Sequence, residues 1–185
     1  MKYSIICLFL LLTAGCSKDK FGIPIYEPGP MTNGKVAAFK NGIAWLASGA
    51  ALRHDDGNDE FVGIYAGTFS EEGFERESIL LNEIPVKKGV YPIKGSLRDI
   101  YDGFVGGSYI TLTDDGDAID DVYLIDESAV DNQLVIESVD TLTNIIRGNF
   151  TVSFRMDPDE RDTRNMINPI KVKFSNGVFE VRLLD

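Results

Sequence analysis

Beyond Lys35, short apolar-rich runs are separated by turn residues, and residues 144–156 step between apolar and polar with a period of two. That period belongs to strands with one buried and one wet face, not to helices. Residues 36–39 and 43–47 flank Asn41-Gly42, the favoured pair for a two-residue turn, and predict a hairpin that is apolar on both faces. Trp45, with apolar flanks, is expected in the core. After a polar loop over 52–60, residues 61–69 and 74–84 read as strands joined at Glu71-Glu72-Gly73. A short run at 90–93 follows, where Pro92 marks an edge or a strand end.

A Gly-rich loop over 95–108 precedes further strands at 110–112, 122–125, 133–139 and 144–156. The last alternates most cleanly. Ile146, Phe150, Val152, Phe154 and Met156 share one parity, while Thr151, Ser153 and Arg155 hold the other. Near the C-terminus, Asn176-Gly177 predicts a second hairpin, with Phe174 opposite Phe179, Val172 opposite Val181, Ile170 opposite Leu183 and Lys173 opposite Glu180. No stretch shows ten residues of helical periodicity with caps. The expected fold is all-β: an antiparallel β-sandwich or flattened barrel of about ten strands in a single domain, residues 33–185.

The first twenty residues differ in kind. Lys2 precedes an apolar run over 3–12, about half as long as a membrane-spanning helix. Thr13-Ala14-Gly15 are small, and Cys16 follows at once. This resembles the lipobox of bacterial lipoprotein signals, although Thr13 stands where Leu is usual. The resemblance implies a signal peptide over 1–15 and lipid on Cys16. Residues 16–32, with Pro24, Pro28 and Pro30, would then tether the domain to a membrane. Ser17-Lys18-Asp19 resembles the signal that sends such lipoproteins to the cell surface. Asn33-Gly34, the segment from Asn41 to Trp45, Gly89-Val90-Tyr91, Gly148-Asn149-Phe150 and the closing segment from Phe174 to Phe179 form a wider pattern. Together they resemble the uncharacterised β-sandwich lipoproteins of Bacteroidota. That likeness implies an outer-membrane location and this fold, and lends no catalytic residue.

A formal charge of −11 over 185 residues, with no basic patch, argues against nucleic-acid binding. Cys7 leaves with the signal and Cys16 carries lipid, so the domain holds no disulfide and no Cys-ligated metal. His54 is the only histidine and reads as a solvated loop residue. No nucleophile elbow, P-loop or dinucleotide fingerprint occurs. Two chemical constellations stand out. Asp114, Asp115, Asp117, Asp120 and Asp121 offer hard oxygens to calcium, or simply solvate a turn; no other cofactor is expected. Tyr101, Phe104 and Tyr109 could stack on a sugar, or plug one end of the fold. The expectation is a non-enzymatic binding or structural module with a glycan or an envelope protein as partner. A glycan- or peptide-binding lipoprotein for nutrient capture, and a carboxylate-based hydrolase, remain alternatives.

Overall fold

The computed structural model describes residues 34–53, 60–95, 104–157, 159 and 168–184. It is all-β, as the period-two pattern requires, with ten strands: β1 Gly34–Lys40, β2 Ile43–Arg53, β3 Phe61–Phe69, β4 Glu75–Pro85, β5 Gly89–Pro92, β6 Gly106–Leu112, β7 Ile119–Ile125, β8 Gln133–Asp140, β9 Ile145–Met156 and β10 Lys171–Leu184. The tether, Cys16, His54 and Tyr101 lie outside the described residues.

Eight strands close a ring. β1 pairs with β2, β2 with β3, β3 with β4, β4 with β6, β6 with β7, β7 with β9, β9 with β10, and β10 with β1, all antiparallel. All ten strands belong to one sheet, which fits the expected sandwich or flattened barrel. β8 runs on from β7 along the same edge of β9, and β5 pairs with β8 outside the ring. The 126–132 excursion between β7 and β8 leaves Ser153 of β9 without a strand partner on that edge, while β10 pairs it on the other. Asp126 N–H donates to the Ser153 carbonyl at 2.8 Å, and the Ser153 N–H donates to Asn132 Oδ1 at 2.8 Å. The excursion thus fills its own gap in the ladder, as buried backbone groups demand.

The β1–β2 hairpin forms as expected. Asn41 and Gly42 both take positive φ, 50° and 83°, which a type I′ turn requires. Asn41 Oδ1 accepts from the Lys173 N–H at 2.8 Å, tying the turn to β10. Trp45 is buried. The other face of the hairpin leaves Phe39 and Leu46 exposed beside Val178 of β10, so both of its faces are indeed apolar.

The second hairpin is not there. β10 is one continuous strand, and Asn176-Gly177 form a bulge inside it. Between Phe174 and Gly177 β10 takes three steps while β9 takes two, from Val152 to Phe150. Against β1 the mismatch is the same: Ser175 to Val178 faces Phe39 to Ala37. Asn176 alone has positive φ. One extra residue swaps the inward parity, from Val172 and Phe174 before the bulge to Phe179, Val181 and Leu183 after it. A two-residue turn makes the same swap, so the apolar pattern fits both.

The ring encloses one continuous core. At its aromatic end Tyr109 lies 5.0 Å from Tyr123, 5.3 Å from Phe174 and 5.8 Å from Phe154 between ring centroids, and Trp45 meets Phe174 edge-on at 4.9 Å. An eight-stranded barrel is just wide enough for such side chains to fill it.

Candidate functional site: the polar mouth of the barrel

Above the aromatic plug lies the end of the ring where β1 and β6 finish and β4, β7 and β10 begin. Inward positions here are no longer apolar. Glu77 shares the inward parity of Ile79 and Leu81 on β4, and Lys40 closes β1 opposite Phe174. Trp45 Nε1 donates to Glu77 Oε1 at 2.6 Å, while the Tyr109 hydroxyl and the Lys40 ammonium both donate to Oε2. Lys40 Nζ also sits 5.1 Å from the centre of the Tyr109 ring. Three donors from three other strands therefore converge on one carboxylate. Burial first, and then the Glu77 charge, push the Tyr109 hydroxyl far above its ordinary value, so it stays a donor.

A second carboxylate lies on the β7 side. Asp121 is inward and 0% exposed. Its Oδ2 accepts from Asn168 Nδ2 at 2.7 Å, and its Oδ1 has no hydrogen-bond partner. The same amide reaches Asp120 Oδ2 at 3.2 Å and Thr111 Oγ1 at 3.5 Å. On the rim, the Arg76 guanidinium donates to Asp114 Oδ1 and, at 2.5 Å, to the Asp114 carbonyl. Lys40, Arg76, Glu77, Thr111, Leu112, Thr113, Asp114, Asp120 and Asn168 line a cavity of about 480 Å³.

The five acids proposed for calcium do not gather. Asp115 and Asp117 lie in the β6–β7 turn on the Thr113 hydroxyl, at 2.6 and 3.5 Å. Thr113 holds the Asp115 carboxyl below its ordinary value, and Asp115 in turn pushes Asp117 up. Asp114 is engaged by Arg76, whereas Asp120 and Asp121 belong to β7. Among the described residues no three acids, histidines or cysteines are grouped to hold a metal ion. Of the aromatic trio, Tyr109 is a core residue at 1% exposure and presents no open ring face, while Phe104 is 48% exposed with Lys94 Nζ 5.4 Å from its ring centre.

Lys40, Arg76, Glu77 and Asn168 went unremarked in the sequence. Only Glu77 carried a local signal, an acid in step with the inward Ile79 and Leu81. Compared with known proteins, the chain matches no family model, no curated protein and no solved structure.

Proposed function

We propose that the chain is a lipid-anchored protein of the bacterial cell envelope, held at the outer membrane through Cys16 and facing the cell surface. In this reading it works as a non-enzymatic binding module through the polar mouth of the barrel. The anchor rests on the lipobox-like placement of Cys16. The binding role rests on one observation: a cavity of about 480 Å³ with a charged and polar lining caps a barrel otherwise filled by side chains. A ligand can therefore enter at the rim and no deeper, and it must be small and polar, such as a glycan unit or a peptide side chain. Both oxygens of Glu77 are already occupied by donors. That favours a fixed binding surface over a carboxylate placed to transfer a proton to a substrate.

The two halves are tested separately. Metabolic labelling with a fatty-acid probe is expected to mark the native chain and not Cys16→Ala, which should leave the membrane fraction; an unlabelled native chain overturns the anchor. Screening the mature chain carrying Cys16→Ser against glycans and short peptides is expected to give hits that Asp114→Trp, at the cavity lip, abolishes. Hits indifferent to that change would place binding elsewhere.

A further inference from the structure

The outer face of β2, β1 and β10 is apolar and open among the described residues, and we infer that it is the docking site of the chain's own residues 21–26. Ala37 of β1 stands opposite both Leu46 of β2 and Val178 of β10, so the three form one row across the sheet. Phe39, opposite Ala44, continues the patch one step toward the mouth. Leu46, Phe39 and Val178 are 49%, 45% and 54% exposed. β1 is paired on both sides, so this face offers no free strand edge, and whatever covers it must do so through side chains.

Sequence and reach select the occupant. Residues 21–26 read Phe-Gly-Ile-Pro-Ile-Tyr, and in an extended chain Phe21, Ile23 and Ile25 fall on one side. Pro24 lacks the N–H of a ladder strand, which suits a segment laid on a face. Phe21 to Ile25 spans about 13 Å, and Leu46 to Val178 about 10 Å across β1. From Tyr26 to Gly34 the chain reaches as far as about 26 Å, while Ala37 lies about 10 Å along β1 from Gly34. The other undescribed stretches do not fit. Residues 54–59 hold no apolar side chain. Residues 96–103 leave the ring at β6, the strand opposite β1. The large apolar residues of 160–167, Met166 and Ile167, lie within two residues of Asn168, which is held on β7. A second copy is opposed by charge. Residues 1–33 hold three lysines and two acids, so the domain from Gly34 onward carries −12, whereas residues 17–33 are neutral. The inference does not depend on the lipid, because these residues precede β1 whether or not Cys16 is acylated. Docking leaves residues 16–20 as the free span between Cys16 and the barrel.

The test uses the mature chain with Cys16→Ser, which has no other cysteine, and Gly22→Cys carrying one nitroxide label. The label is expected to erase the amide signals of Ala37, Leu46 and Val178 and to spare those of Leu80 and Ile110, on β4 and β6. Adding Phe21→Ser, Ile23→Ser and Ile25→Ser should bring the erased signals back. In the unlabelled chain, Leu46→Ser with Val178→Ser should speed chymotrypsin cleavage after Tyr26 at least about tenfold, because cleavage follows the undocked population. Should that face variant not fold, the three serines, which lie outside the barrel, still decide. Signal loss confined to the surroundings of Gly34, or unchanged by the serines, overturns the inference. So does the same loss in an unlabelled, nitrogen-15 chain mixed with a labelled one, which would mean that a second copy covers the face.

Discussion

Glu77 shows how much one side chain can organise. A carboxylate at an inward strand position is costly to bury unless donors meet it. Here Trp45, Tyr109 and Lys40 do, and in meeting it they align β1, β2, β4 and β6 at the mouth. Glu77→Ala strands three donors and is expected to lower stability by about 3 kcal/mol in urea unfolding. Trp45 is the only tryptophan, so its emission should shift as the indole N–H loses its acceptor. Asp126, at the start of the β7–β8 excursion, makes a different point. Lys171 first, and then Ser128, hold its carboxyl down to about 2, below its ordinary 3.8. A carboxyl lowered by folding adds stability above its unfolded value, and that stability is lost as the pH falls through the folded one. Asp126→Asn should therefore destabilise the domain at pH 7, and the difference from the unaltered chain should shrink from about pH 4 downward and vanish near pH 2. A pH-independent difference between the two melting curves would show that the Lys171 pairing contributes nothing.

The two Asn-Gly pairs show what an element needs beyond its own residues. Asn41-Gly42 makes a turn because the strands on either side, β1 and β2, pair with one another. Asn176-Gly177 makes a bulge because both halves of β10 find partners in β9 on one side and β1 on the other. With two long neighbours available, continuing the strand satisfies more backbone groups than folding back on itself. The extra residue has a measurable consequence. Deleting Asn176 is expected to turn Phe179, Val181 and Leu183 outward and to leave no soluble folded protein, whereas Asn176→Gly, which keeps both the count and the left-handed φ, should melt within about 1 kcal/mol of the unaltered chain. A deletion variant that folds normally would refute the bulge. The alternation along β9, by contrast, was legible residue by residue. Every even position from Ile146 to Met156 is buried, because both faces of that strand were decided by local pattern.

At the scale of the whole molecule, β9 and β10 hold the ring together. Each is hydrogen-bonded on both sides along most of its length, while β5 pairs on one side only. Amide hydrogen exchange should be slowest in β9 and β10 and faster in β5; fast exchange across β9 would mean that the ring does not close there. The candidate site belongs to this scale as well. Lys40 and Glu77 are 37 residues apart in sequence, and Asn168 and Asp121 are 47 apart. No spacing rule links them, which is why the acidic run from Asp114 to Asp121 drew notice while Lys40, Arg76, Glu77 and Asn168, which line the mouth beside Asp114 and Asp120, did not. The sequence by itself determined the all-β class, most of the strands, the Asn41-Gly42 turn, the buried parity and the lipobox-like start, because each depends on neighbours a few residues away. Tertiary structure alone decided that the sheet closes, that Asn176-Gly177 bulges and that Glu77 and Asn168 share one mouth. Those outcomes turn on which distant strand lies alongside, and a period of two says which way a side chain points but not what it will meet.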